Sequence, residues 1–592
     1  MHFIDYSIVA FYMAGVILLG FYFEKKASKG IDSYFLGDRN IPWWALGASG
    51  MAANVDLSGT MIIAGLLYAL GTKGFFIEFR GGIVLIMAFF MVFMGKWNRR
   101  AKVMTVAEWM RFRFGDGKAG DMARLISAAA NIIFCIGAVS YFAIGGGKFF
   151  GEFFGIDERT GTIILIVVTT IYTVASGLYG VVWTDVFQGF LIFISVIAIC
   201  VIAFQKVTLP QEFAVSMPLS NGQFKNSVTT FSDWSSLLPP MKMNLEGAYS
   251  VFNLLGLTIL LYVLKTALEG TGGAGGYITQ RYFAAKNDRE AGLLSLFWIS
   301  LLSFRWPLVA AFAVLGIYHG INGHIIQDPE LVVPVVIKEY VPVGVKGLII
   351  TGFLAAAMST FTSMINAAAA YWVKDLYQAF IKPKATERQL VLQSRVASVL
   401  IVVVGVLFSF SIANINDIWG WLCLGLGSGL AIPLVLRWFW WRFNGYGFAA
   451  GTFTGMVAAI ATKMTMPLAP EFVSFIIPAG ASFTGCLLGT YLSPQTDQNV
   501  LEHFYCVTRP FGFWKPVKAK AAAANMQKKI DAENRSDIIS TFIAVPWQIL
   551  LFMTGMLLIM KNWSNFFISL LLLLLLSIGL YFMWFRKLDK QK

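Results

Sequence analysis

Four hydroxyl side chains fall within five residues at Ser359-Thr360-Phe361-Thr362-Ser363, inside an otherwise apolar stretch that opens with Leu354-Ala355-Ala356-Ala357. A patch of neutral oxygens at such a place suits a hard cation, which must exchange its water for fixed oxygen donors. Back-bonding of serine and threonine to their own helix is the bland alternative, and it accounts more easily for one or two hydroxyls than for four. Ionisable residues form a second group in apolar sequence: Asp56, Glu78, Arg80, Lys265, Glu269 and Arg305. Charges within a membrane span are functional candidates, with pairing among themselves as the alternative. Asp56 and Arg80 have opposite signs and suit either a mutual pair or the two ends of a zwitterion. Arg305 offers the planar fork that holds a carboxylate bidentately. The neutral polar residues Asn54 and Ser58 beside Asp56 favour a sugar or sugar derivative over a purely ionic solute. Enzymatic chemistry finds no support, because the four histidines and five cysteines form no cluster of metal ligands or nucleophiles.

These residues sit in a chain that is 57% hydrophobic and only 13% charged, with a mean hydropathy of +0.69. Apolar runs recur from end to end and mark about fifteen membrane spans, each needing roughly 20 residues. The first run, Tyr6 to Phe23, leads into Glu24-Lys25-Lys26 with no small-residue cleavage site, and is read as a retained helix. The net charge of +14 is distributed over alternate loops, including Lys96 to Lys102, Arg437 and Arg442, and Lys515 to Lys529. Membrane orientation explains that pattern without a nucleic-acid partner: the N-terminus is expected outside and the C-terminus in the cytoplasm of a cell-membrane protein.

Two spans carry signs of a break. One holds Asn54-Val55-Asp56-Leu57-Ser58 at mid-depth. The other holds Gly270-Thr271-Gly272-Gly273-Ala274-Gly275-Gly276, where each glycine costs about 1 kcal/mol relative to alanine in a helix. Non-helical backbone at that depth is tolerated where it lines a cavity. Counted from residue 42, the broken spans are the first and the sixth, the offset of two inverted five-helix repeats around a midplane site. Tight helix packing on glycine is the competing explanation. A dinucleotide fingerprint also fits Gly270 to Gly275 literally, but it requires a preceding soluble strand that is absent from this hydropathy pattern. The expected fold is an all-α polytopic membrane protein. An extra N-terminal helix and cytoplasmic loop (1–41) precede the first repeat (42–205), an extracellular loop (206–245) and the second repeat (246–445). Two additional helices (446–499), a basic cytoplasmic loop (500–538) and two C-terminal helices (539–592) follow.

The run AAAMSTFTSMINAAAAYWVKDLY from Ala355 resembles the signature helix of the sodium/solute symporter family. WWALGASGMAANV at 43–55, SGLYGVVWTDVFQG at 176–189 and YITQRYFAAKN at 277–287 agree with it in the expected order. The resemblance implies a LeuT-type fold and sodium-coupled symport. It implies a sodium site made of the carbonyls of Ala52, Val55 and Ala356 with the hydroxyls of Ser359 and Thr360. A second sodium, which some members bind, would fall to Asp185 with Ser359, Thr362 and Ser363, unless Asp185 is merely hydrated near the cytoplasmic end. Asn54 and Glu78 match solute-binding positions of sugar-carrying relatives, and Arg305 lies near their basic position. Leu268 and Thr271 stand where those relatives have an asparagine and a stacking tyrosine, a departure that weakens a simple hexose. The implied ligands are sodium and a small solute bound by Asn54, Asp56, Ser58, Glu78, Arg80, Glu269, Thr271 and Arg305. Membrane lipid surrounds the chain, and no obligatory protein partner is implied. An organic anion or zwitterion (sialic acid, carboxylate, amino acid) is the alternative solute, and a non-accumulating sensor or channel the alternative function.

Overall fold

The computed structural model describes residues 2–27, 36, 39–219, 223–273, 276–411, 415–466, 469–521 and 524–588. The chain is helical almost throughout, because backbone in hydrocarbon must satisfy its own polar groups. After α1 (Phe3–Ala27) comes α2 (Trp43–Asn54), which stops at Val55. Asp56 restarts the chain as N-cap of α3 (Leu57–Leu70), its carboxylate accepting from the Gly59 N–H. The two halves are bent by 59°. The chain that follows is divided among the helix Thr72–Ile77, a 3-10 turn at Glu78–Arg80 and helical pieces from Ile86 to Arg100. Next come α4 (Lys118–Phe154) and α5 (Glu158–Lys206). The 49 residues of α5 form one helix. Of this helix, Val181–Lys206 is long and apolar enough to cross a membrane alone.

The loop at 206–245 corrects the all-helical expectation. β1 (Glu212–Pro218) and β2 (Phe224–Thr230) pair antiparallel, with Glu212 opposite Thr230. Phe213 and Val215, two apart, are buried on one face of this ribbon, as strand alternation allows. The second half contains α6 (Leu255–Gly272), α7 (Gly276–Phe283), α8 (Asp288–Leu302), α9 (Arg305–Ile321) and α10 (Val345–Ala370). It closes with α11 (Glu387–Ser409) and α12 (Ile415–Phe439). Beyond lie α13 (Gly445–Thr465), α14 (Glu471–Tyr491), α15 (Ala524–Ile559) and α16 (Trp563–Leu580). Among the described residues nine helices are long and apolar enough to cross a membrane alone, or ten with the bent pair, against the fifteen or so expected.

The glycine run does not unwind as a whole. Helix α6 continues through Gly270 and Gly272, where a Cβ would come within 2.4 Å of the Phe89 ring and 3.0 Å of the Leu434 backbone. Those two glycines serve close packing. The turn comes at Gly273, with φ +81°, while Ala274 and Gly275 of the run lie outside the described residues, as do 589–592 at the basic C-terminal end. Gly50 in α2 is likewise a packing residue: a Cβ there would sit 2.2 Å from the ring of Trp298 in α8. Helix α10 packs against α2 and α5. Its apolar window is 89% buried, so its hydroxyl patch faces protein rather than lipid. Arg437, read from the sequence as a loop charge, is fully buried with its guanidinium 4.2 Å from the centre of the Trp109 ring.

Candidate functional site

All four hydroxyl residues of the patch in α10 are buried, but they do different things. Thr360 Oγ1 lies 2.9 Å from the carbonyl oxygen of Ala53 and 3.1 Å from that of Ala356. It therefore touches α2 where that helix breaks, and it brings Ala356 to the backbone of residues 52–55. Ser359 Oγ is buried beside the Asp185 carboxylate and makes no well-formed hydrogen bond. Ala52 and Val55 are buried at the same break. Thr362 Oγ1 donates to the carbonyls of Met358 and Ser359 in its own helix, the bland role considered above. Ser363 Oγ accepts from Arg281 Nη2 at 3.0 Å.

Arg281 is the main residue that sequence reasoning missed here, although it stands inside the quoted YITQRYFAAKN. Its Nη2 also donates to Ser49 Oγ at 2.7 Å and lies 3.4 Å from Asp185 Oδ2. Asp185 is fully buried, so the hydrated reading of this residue is corrected: its compensation is a guanidinium rather than water. Ser49 Oγ donates to Asp185 Oδ2 at 2.5 Å, and Asp185 Oδ1 has no hydrogen-bond partner among the described residues.

Beside the break lies a cavity of about 240 Å³ lined by Asn54, Asp56, Glu78, Lys265, Glu269, Arg305 and Thr360, with Tyr141 and Trp419. Of the two roles open to Asp56 and Arg80, the mutual pair does not form. Asp56 Oδ1 is 3.1 Å from Arg305 Nη2, and Asp56 Oδ2 accepts from the Tyr141 hydroxyl at 2.6 Å. Arg305 Nη1 donates to the Asn54 carbonyl at 2.9 Å, while the Asn54 side chain accepts from Trp298 Nε1. Arg80 turns to Glu78 at 2.9 Å, Glu471 at 2.8 Å and Asn416 Oδ1 at 2.6 Å, and Tyr262 hydrogen-bonds Glu471 as well. Lys265 Nζ is 2.9 Å from Glu269 and donates to the Arg80 carbonyl.

Three of the expected solute contacts are absent from the lining. Arg80 lies behind it, in the pair just described. Ser58 Oγ donates to the Tyr141 carbonyl at 3.3 Å. Thr271 Oγ1 bonds back to Ala267 and Leu268, as a threonine in the last turn of a helix readily does. The aromatic surface comes instead from Tyr141 and Trp419, stacked with centroids 5.2 Å apart at 29°. Trp419 Nε1 donates to Glu78 Oε2 at 3.3 Å. The arrangement offers oxygen donors for a cation at the break and, next to them, a polar, charge-paired chamber for a small solute. Among the described residues no three His, Cys, Asp or Glu side chains come together as a metal cluster.

Residues 34–456 match the family model described as "SSF: Sodium:solute symporter family". The chain is similar to sodium/glucose cotransporter 4 of Danio rerio, at 27% identity over 79% of this chain and 72% of that one. It is 26% identical to the sodium/glucose cotransporter of Vibrio parahaemolyticus over 80% of this chain and 87% of that one. Identity to the sodium/sialic acid symporter of Proteus mirabilis is 24%, over 83% and 95%. Among solved structures, the substrate-bound outward-open state of a Na+-coupled sialic acid symporter shares the fold, with TM-score 0.63 and 21% identity over 84% of this chain and 99% of that one.

Proposed function

This chain belongs to the sodium:solute symporter family, and from that premise we propose that the small solute it carries is an uncharged, hydroxyl-rich compound, a sugar or sugar derivative. The protein is an integral membrane transporter of the LeuT-type fold, not an enzyme, and it couples a small solute to sodium. Sodium is cargo here, bound and released in each cycle.

In this proposal sodium is held by the carbonyls of Ala52, Val55 and Ala356 and the hydroxyls of Ser359 and Thr360. Two features support it: Thr360 bridges to the broken backbone of α2, and Ser359 Oγ is a buried oxygen that makes no well-formed hydrogen bond. A sodium ion at this place ties α2 to α10 and so couples ion binding to the geometry of the adjoining chamber. The second sodium set (Asp185, Ser359, Thr362, Ser363) is not carried forward. Arg281 already supplies positive charge to Asp185, and Thr362 is spent on its own helix.

The solute class rests on one observation above all: the cations lining the chamber, Arg305 and Lys265, are already bound to carboxylates. Carboxylate oxygens, Asn54 and the Tyr141–Trp419 aromatic pair together suit hydroxyls on a carbon skeleton with an apolar face. Two of the relatives named above carry glucose in their names, which agrees. The proposed topology places the N-terminus outside and the C-terminus in the cytoplasm, with repeats at 42–205 and 246–445. Proteoliposome uptake of labelled glucose, galactose, myo-inositol, N-acetylneuraminate and proline, in sodium or in choline, tests the proposal. Accumulation of a neutral sugar or polyol against its gradient, in sodium only, is the expected result. Uptake of only the carboxylate-bearing compounds contradicts it.

A further inference from the structure

Each of the two cations lining this chamber, and the arginine just behind its wall, has its carboxylate. Arg305, only 3% exposed, is held by Asp56; Lys265, 2% exposed, by Glu269; and Arg80, immediately behind the wall, by Glu78 and Glu471. Within this set three cations face four carboxylates, so none of the three is left free to bind an anion. We propose that Asp56 is the residue that sets charge selectivity: by neutralising Arg305 it makes the transporter reject carboxylate-bearing solutes and accept uncharged ones.

The position of Asp56 is what gives it this role. It is the N-cap of α3, its Oδ2 accepts from both Gly59 N–H and the Tyr141 hydroxyl, and its Oδ1 faces Arg305. Three fixed partners hold the carboxylate where it meets the guanidinium, on the chamber wall one residue from the break. A solute carboxylate reaching Arg305 would have to displace this internal one or lie beside it, unpaired, in a chamber already lined by Asp56, Glu78 and Glu269. Either course is costly at low dielectric, where breaking a buried pair strands a charge. A hydroxyl needs no such exchange, because it can donate to a carboxylate oxygen that still has lone-pair capacity. Discrimination of this kind is built as much on repulsion of the wrong solute as on attraction of the right one.

The inference rests on the proposed solute site but not on the sodium site, and the test separates them. Thermal shifts of the purified full-length protein are recorded in sodium with glucose, myo-inositol, N-acetylneuraminate and proline, for wild type and Asp56→Asn. Asp56→Asn keeps a side-chain oxygen able to accept the cap bond and leaves Arg305 without its counter-charge. Its half-saturation for N-acetylneuraminate or proline is expected to fall at least tenfold below that of wild type. Wild type itself should bind the carboxylates at least tenfold more weakly than the better of the two neutral compounds. Equal affinity of wild type for both classes overturns the proposal, as does the absence of any gain in a folded Asp56→Asn. If that variant does not fold, Asp56→Asn/Arg305→Gln replaces it: with both charges gone it should show no gain for carboxylates, and a gain overturns the proposal. A thermal shift by sodium alone serves as control, since its loss in wild type would count against the ion site and not against Asp56.

Discussion

The two helix breaks beside the chamber are closed in contrasting ways. At the first, the carbonyls of Ala53 and Asn54 are met by a threonine hydroxyl and by an arginine whose charge Asp56 cancels. At the second, the Gly272 carbonyl accepts from Arg437 Nη2 at 3.3 Å, and no carboxylate lies within ion-pair distance of Arg437 among the described residues. A bare buried guanidinium repels a second cation, and at 4 Å two like charges still cost about 4 kcal/mol at an effective dielectric of 20. The first break therefore suits sodium, with neutral oxygens and cancelled charge. The second is a fixed joint, made by a left-handed glycine and capped by a permanent cation.

Arg305→Gln should break the first joint most severely. It leaves the Asp56 carboxylate buried without its counter-charge, at a cost of about 3–5 kcal/mol, visible as a large fall in thermal stability and loss of uptake. A fully retained unfolding temperature would mean the pair contributes little. Gly273→Ala sharpens the contrast from the other side. Its nearest neighbour would be 3.5 Å away, so the cost is backbone strain at φ +81°, about 1–2 kcal/mol. Val55→Ala at the first break, where φ is −87°, should carry no such strain. Gly273→Ala is expected to lower stability while the sodium concentration for half-maximal binding stays within twofold. The smallest effect belongs to Thr362→Ala. Its hydroxyl serves its own helix, so sodium dependence should remain within twofold of wild type, with a Hill coefficient near one. At 100 mV one sodium is worth about 2.3 kcal/mol. Accumulation of a neutral solute by voltage should therefore level off near forty-fold, at about 1.4 kcal/mol per decade.

Much of this was legible in the sequence, for identifiable reasons. The hydroxyl patch stands out because four oxygens in five residues have no place in a lipid-facing helix. The first break shows because Asn54, Asp56 and Ser58 interrupt an apolar run and Asp56 is a natural helix start. The second break was placed too broadly: glycine propensity argued for unwinding at Gly270, but the contact with Phe89 needs a glycine inside an intact helix. Charge pairing was not legible at all. Asp56 and Arg305 are 249 residues apart, and only the packing of α3 against α9 decides that Asp56 meets Arg305 and not the nearer Arg80. Arg281 was hidden for a different reason, since it appeared within a family motif and its charge was not counted against Asp185. Tyr141 and Trp419 come from α4 and α12, and no local pattern joins them.

The most direct test of the account is a sodium titration of Ser359→Ala/Thr360→Ala beside wild type, read as the thermal shift of the purified protein in choline-balanced salt. It needs no knowledge of the solute. Removal of two of the five proposed oxygen ligands should raise the half-saturating sodium concentration at least tenfold, with the sodium-free unfolding temperature nearly unchanged. A sodium curve superimposable on that of wild type would contradict the placement of the ion between the broken α2 and α10.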